Sequence, residues 1–182
     1  MERIYVEKSK CCGCGACMAA CPKQAIRMEA DVGGSLYPVV DSALCVDCKR
    51  CEAVCPYHHP MAHFDVQTAY AVQNYDKSQL NGSSSGGAFS ALASQFLADG
   101  GVVSGAVAVF EGEAPPVMHR MISCIEDLPL LQGSKYVQSD LSEAFGDIEC
   151  ALAQGKKVLF SGTPCEVAAV RNMFKKTDEL YC

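Results

Sequence analysis

Eight of the chain's 13 cysteines fall into two runs of the same spacing. Cys11, Cys14, Cys17 and Cys21 precede Pro22, and Cys45, Cys48, Cys51 and Cys55 precede Pro56. Both runs read C-x2-C-x2-C-x3-C-P, and the second lies 34 residues after the first. No other feature constrains the fold as strongly, because it dictates where thiols must converge. A disulfide framework is not expected: at 182 residues the chain is long for that class, and its acidic N-terminus carries no apolar secretory segment. Zinc would take four ligands in paired CxxC clips, leaving each third cysteine and both prolines unexplained.

The spacing is that of bacterial-type ferredoxins, whose fourth cysteine ligates the other cluster. One 4Fe-4S cluster is thereby assigned Cys11, Cys14, Cys17 and Cys55, and the second Cys45, Cys48, Cys51 and Cys21. Three thiolates at x2 intervals wrap a tight loop around one face of a cubane. The Ala and Met residues between Cys17 and Cys21 suit a short helix that carries the chain across, and proline then stops it. Gly13 and Gly15 suit backbone that passes close to a cluster. Cys12, adjacent to a ligand, is read as a small packed hydrophobe, with a ligand swap as the alternative, and His58 and His59 as solvated linker residues, since every cluster position is filled.

The formal charge of −6 and the pI near 5.2 give no electrostatic basis for gripping a phosphate backbone, so nucleic acid is not an expected partner. Two oxidised cubanes with their thiolates would take the charge to about −10, offset locally by Lys10, Lys49 and Arg50. The longest mostly apolar stretch, residues 100–110, is about half of what a membrane-spanning helix needs. Oxygen-labile clusters and the missing signal segment point to a cytoplasmic location.

The chain is expected to divide into a ferredoxin domain at 1–60 and an α/β domain at 61–182. In the second, Tyr70-Ala-Val-Gln73 reads as a short strand. Phe89, Leu92, Ala93, Phe96 and Leu97 recur at helical spacing, with Ser84 or Ser85 as N-cap and Gly100 as the stop. Residues 102–110 and 117–122 read as strands joined by a turn at 111–116. A helix is expected over 141–153 and a buried strand over 158–161. Thr163, Pro164 and Glu166 form a capping box at the start of the last helix. Strands alternating with helices predict a mainly parallel or mixed sheet.

Two loops are candidate ligand sites. Ser83-Ser-Ser-Gly-Gly87 offers hydroxyls and free N–H groups at a helix start, the usual anion site. Ser161-Gly-Thr-Pro-Cys165 follows a strand and opens a helix, where open α/β sheets bind ligands. There Glu166 would repel an anion. Cys165, at the second helical position, is expected to have a lowered pKa and is a candidate reactive or ligating thiol; an ordinary half-buried cysteine is the competing reading.

Taken together these stretches resemble the N-terminal part of the coenzyme F-420 hydrogenase/dehydrogenase beta-subunit family. The resemblance rests on Ser83-Ser-Ser-Gly-Gly-Ala-Phe-Ser-Ala-Leu-Ala93, Gly100-Gly-Val-Val-Ser-Gly-Ala106, His119, Leu131-Gln-Gly-Ser-Lys-Tyr-Val-Gln-Ser139 and Val158-Leu-Phe-Ser-Gly-Thr-Pro-Cys165. It implies FAD alongside the two clusters, with electrons passing between them and a hydride exchanged with a deazaflavin-like or other small-molecule carrier. It places Ser84, Ser85, Gly86 and Gly87 near the flavin phosphates. Ser134 and Lys135 would lie near the ring or substrate, and Gly162, Thr163 and Cys165 would line the same cavity. Lys135 and Cys165 are the implied catalytic residues. Redox proteins or hydrogenase/dehydrogenase-type subunits are the implied partners. The family commonly has Gln where Glu166 stands, and its members continue past an Asp-x-x-Cys-His-Gly element. This chain ends at Asp178-Glu-Leu-Tyr-Cys182, so the α/β domain is expected to be incomplete. The competing reading is a non-enzymatic electron carrier whose second domain docks partners. Cys124, Cys150, Cys182 and His63 are assigned no role.

Overall fold

The computed structural model describes residues 4, 7–62, 65–110, 116–175 and 177–182. His63, and residues 111–115 of the expected turn, lie outside the described residues. The N-terminal part runs α1 (Ala16–Ala19), a hairpin of β1 (Ile26–Ala30) and β2 (Leu36–Val40), and α2 (Arg50–Val54). Both helices are short and end before their Cys-Pro pair, as the spacing requires. They pack against each other. Asp31 builds the hairpin turn by accepting the Gly33 and Ser35 N–H groups at 2.9 and 3.0 Å.

The second part continues with α3 (Lys77–Asn81), α4 (Ala88–Ala98), β3 (Val102–Ala108), β4 (Val117–Ile122), α5 (Leu128–Leu131), α6 (Ala144–Ala153), β5 (Val158–Phe160), α7 (Pro164–Met173) and β6 (Leu180–Tyr181). The sheet is mixed, in the order β4-β3-β5-β6. β3 pairs antiparallel with β4, setting Val103 opposite Ile122, and parallel with β5, setting Val102 opposite Val158. β6 extends the parallel side along β5.

Side chains alternate across β3 and so divide the core in two. Val103 and Val107 face α4 and α5, in a buried cluster with Ala93, Leu97, Leu128 and Leu131. Val102 faces the opposite way, into a cluster with Phe145, Ile148, Val158, Phe160 and Val170. That second cluster also takes in Ala16 from α1 and Val54 from α2. The cysteine-bearing helices and the sheet are thus joined by one apolar core.

Several sequence expectations needed correction. Residues 70–73 form no strand; Tyr70 and Val72 are exposed, and the Val72 carbonyl lies where a Cβ on Gly86 would stand, 2.1 Å away. The segment packs on the Ser-Gly loop instead of joining the sheet. The N-cap of α4 is Gly87, in a left-handed conformation with φ 74° and no side-chain cap. Leu92 is 65% exposed, and Ser90 takes the buried place beside Ala93 and Leu97. The capping box of α7 forms as read: the Thr163 N–H donates to Glu166 Oε2 at 2.7 Å, with Pro164 in the first turn.

Ile148 is fully buried in the shared cluster. Ile148→Ala is expected to cost about 2–5 kcal/mol in urea unfolding, the usual penalty for an unrelaxed core cavity. Because Ala16 and Val54 share that core, far-UV circular dichroism and visible cluster absorption should be lost together at the lowered midpoint. A bleaching transition that stays at the wild-type midpoint would show the two parts to unfold independently.

Candidate functional site

The eight repeat cysteines sort into two cavities. Cys11, Cys14, Cys17 and Cys55 line one, together with Gly13, Gly15 and Pro56. Cys45, Cys48, Cys51 and Cys21 line the other, with Pro22, Ile26 and Val40. Each cavity is closed by the fourth cysteine of the other repeat, because α1 and α2 lie side by side and each delivers the residue that follows it across the pair.

The two cysteine loops share a backbone geometry that their sequences do not. Gly13 and Gly15 have φ of 65° and 74°, and 34 residues further on Asp47 and Lys49 have 53° and 62°. Left-handed backbone is easy for glycine and costs other residues about 1 kcal/mol. Loop shape, fixed by the need to present three thiols around one volume, has overridden local preference. Lys49 pairs with Asp47 at 3.2 Å and with Glu52 at 3.3 Å, both at exposed positions.

Burial raises thiols in both cavities. Burial, reinforced by Cys11 and Cys55, pushes the Cys17 thiol up to about 12. Burial also raises Cys11 and Cys51, with Cys55 and Cys48 respectively adding to the effect. Neighbouring thiolates repel unless metal charge neutralises them, and a coordinated thiol is deprotonated outright. The Ala25 N–H already donates to Cys21 Sγ at 3.3 Å. Among the described residues no three His, Cys, Asp or Glu side chains converge on one ion position.

A much larger cleft, of about 1150 Å³, opens where β5 ends. Ser84, Ser85, Gly86, Gly87, Ser134, Lys135, Gly162, Thr163 and Cys165 all line it. Its two long loops are tied together, the Ser134 N–H donating to Ser84 Oγ at 2.8 Å. Lys135 sits in the wall, but its ammonium turns back to the Gln132 and Leu130 carbonyls at 2.7 and 3.3 Å, at the end of α5. Burial lowers its pKa. Glu166 is buried, with its carboxylate held by the Thr163 N–H.

Three residues of the cleft carry more than the sequence reading gave them. His119, on β4, is 2% exposed and stacks on Phe160 at 5.0 Å. Its Nε2 lies 3.0 Å from the Ser161 carbonyl and its Nδ1 2.7 Å from Ser139 Oγ. A carbonyl only accepts, so Nε2 carries the proton and Nδ1 accepts from the serine hydroxyl. The in-phase spacing of Val117 and His119 along one strand was the available signal. Gln138 reaches out of the cleft wall to the cysteine-rich part: its Nε2 donates to the Cys12 carbonyl at 3.1 Å, and its Oε1 accepts from the Leu36 N–H at 2.7 Å. Cys12 is exposed and does not pack as a small hydrophobe; it lines both the first cysteine cavity and the cleft. Its thiol is pushed up to about 12, first by the neighbouring Cys14 thiol, with burial adding to the effect and Cys165 opposing it. The Cys165 thiol is raised, against the lowering expected at a helix start, first by Cys12 and then by burial.

Residues 10–59 match the family model described as a 4Fe-4S dicluster domain. No curated protein matches the chain. The N-terminal part is therefore a ferredoxin-like 4Fe-4S module with an iron–sulfur electron-transfer role, followed by an α/β region with a mixed sheet. Among the described residues no helix is long and apolar enough to cross a membrane.

Two outcomes follow. Lys49→Gly relieves a left-handed lysine at the cost of weak surface ion pairs, so it should stabilise the chain by about 0.5–1 kcal/mol in chemical denaturation; destabilisation would show that those pairs, not strain, dominate the loop. Burial holds His119 neutral, with its pKa below the ordinary 6.5. Below that pH the unfolded chain takes up a proton that the folded chain refuses, so stability falls as pH drops. His119→Gln, which keeps a donor and an acceptor, should flatten the loss of stability between about pH 7.5 and 5.5. An unchanged acid limb would remove His119 as its source.

Proposed function

We propose that the chain is an iron–sulfur flavoprotein module. In it, two 4Fe-4S clusters, held by Cys11, Cys14, Cys17 and Cys55 and by Cys45, Cys48, Cys51 and Cys21, are paired with FAD in the α/β cleft. The observation that carries the reading is the convergence of two independently recognisable loops, around Ser84 and Thr163, on one cleft large enough for a dinucleotide. Bound FAD would supply a two-electron hydride exchange with a small carrier, deazaflavin-like or other, and one-electron exchange with the clusters. The division at residue 60 is the corresponding functional boundary, and the coenzyme F-420 hydrogenase/dehydrogenase beta-subunit family is the corresponding relationship.

The residues have separable tasks. The first-turn N–H groups of α4, left without a side-chain cap by Gly87, would donate to phosphate oxygens at the positive end of the helix. Gly86 lets the loop pass against the Val72 carbonyl, and Ser84 fixes the loop opposite Ser134. Gly162 leaves room beside Phe160 and Glu166. Lys135, already partly desolvated, would release the α5 carbonyls to reach a substrate or flavin ring. His119 holds the Ser161 carbonyl, and with it the strand end from which Gly162 and Thr163 project.

The test is cofactor content. The chain, purified without oxygen, should carry about eight iron atoms and release FAD on acid precipitation. Gly86→Val, whose side chain meets the Val72 carbonyl, should abolish flavin retention and leave the iron unchanged. Eight irons with no flavin would leave a plain electron carrier. Lys135→Ala should slow hydride exchange without changing the cluster absorption.

A further inference from the structure

The two cysteine loops are related by the 34-residue repeat, and one residue outside them breaks that symmetry. Gln138 lines the large cleft and reaches the first loop only: its Nε2 donates to the Cys12 carbonyl at 3.1 Å while its Oε1 accepts the Leu36 N–H at 2.7 Å. The place of Cys12 in the second loop is taken by Val46, which is 58% exposed. Among the described residues the second cavity shares no lining residue with the cleft, whereas Cys12 lines both the first cavity and the cleft. Glycine placement follows the same division. Gly13 and its counterpart Asp47 both have positive φ, so the backbone alone does not demand glycine at 13. Gln138 Nε2 and the Leu36 carbonyl stand where a Cβ on Gly13 would be, so the missing side chain makes room for the amide. The neighbouring Ser139 bonds His119 of β4, which anchors the segment carrying Gln138 to the sheet.

We propose that Gln138 is a positioning residue for the first 4Fe-4S cluster, the one assigned to Cys11, Cys14, Cys17 and Cys55, and that it raises that cluster's reduction potential. The inference rests on the two-cluster reading and is independent of the flavin. A trans peptide sets its C=O and its N–H on opposite sides. Holding the Cys12 oxygen toward Gln138 therefore turns the Gly13 N–H the other way, and Gly13 lines the first cavity beside Cys11 and Cys14. Hydrogen bonding around the sulfurs is one of the terms that set a cluster's potential. A peptide N–H held beside the sulfurs favours the added electron, and a carbonyl oxygen free to swing into its place disfavours it. Gln138 fixes this one peptide from the cleft wall. The second loop is not reached from the cleft, so its cluster does not depend on the α/β region in this way.

The test is a redox titration of the full chain, cluster-loaded and handled without oxygen. It is followed by electron paramagnetic resonance, beside an iron determination and far-UV circular dichroism. Cys14→Ser and Cys48→Ser, each altering one ligand set, assign the two midpoints. Gln138→Met is close in size but has no N–H to donate, and it should keep its iron and its circular dichroism. Its first cluster should become harder to reduce. The reduced-to-oxidised ratio at the wild-type midpoint should fall about threefold to tenfold, or about 30–60 mV for one electron, while the second midpoint stays in place. Gln138→Glu keeps an acceptor for the Leu36 N–H but cannot donate to the Cys12 carbonyl, so it should show the same selective fall. It decides the matter if Gln138→Met loses iron. Unmoved midpoints would overturn the proposal, and so would equal shifts of both clusters, which would reduce Gln138 to general packing. Gln138→Glu indistinguishable from wild type would overturn it too, by giving the role to the Leu36 contact. Fewer than about eight irons in the wild-type chain would overturn the two-cluster reading and the proposal with it; a full iron complement with unmoved midpoints would overturn the proposal alone.

Discussion

The packing of α1 against α2 is the contact on which the rest of the molecule depends. Each helix is barely more than one turn long, too short to persist by its own hydrogen bonds. Side by side, they hand Cys21 and Cys55 across to each other's loop, so neither cavity is complete without both helices. The same helices place Ala16 and Val54 in the apolar cluster under the sheet. One contact thus closes the two cavities and docks them onto the α/β region.

The cleft inherits its shape from that docking. Its floor is the end of β5, its far wall the Ser-Gly loop before α4, and its near wall includes Cys12 from the cysteine-rich module. Two of the wall loops are pinned to each other by the hydrogen bond from the Ser134 N–H to Ser84 Oγ. His119 joins a third element, tying β4 to the Ser161 strand end. The polar groups that shape the cleft are therefore occupied with one another as well as exposed to whatever enters.

The cysteine loops, the capping box on α7, the helix stop at Gly100 and the pairing of β3 with β4 were legible in the sequence. Each is fixed by neighbours in the chain: ligand spacing, a Thr-Pro-x-Glu signal, a glycine, alternating apolar residues. What escaped depended on distant partners. Residues 70–73 have strand composition but find a loop, not an edge. The N-cap of α4 went to Gly87 because a backbone turn, not a serine hydroxyl, ends the loop. Cys165 has the position of an activated thiol, and its helix start would lower its pKa; the Cys12 thiol and burial outweigh that. Lys135 looked free to face a ligand until the carbonyls of α5 supplied it with nearer acceptors. The β1–β2 hairpin carried a readable turn at Asp31 and two glycines, overshadowed by the cysteines on either side.

Gln138 offers one oxygen and one NH2 group, and it uses them in opposite directions. Leu36 presents an N–H and Cys12 a carbonyl, so only one orientation of the amide satisfies both. A Cβ on Gly13 would collide with that amide at 2.0 Å, which leaves it little room to turn. The side chain behaves as a latch with a single closed position. An occupant of the cleft that draws the amide away would release the hairpin and a cysteine loop in the same movement, so events in the cleft would be felt mechanically at the first thiol cavity.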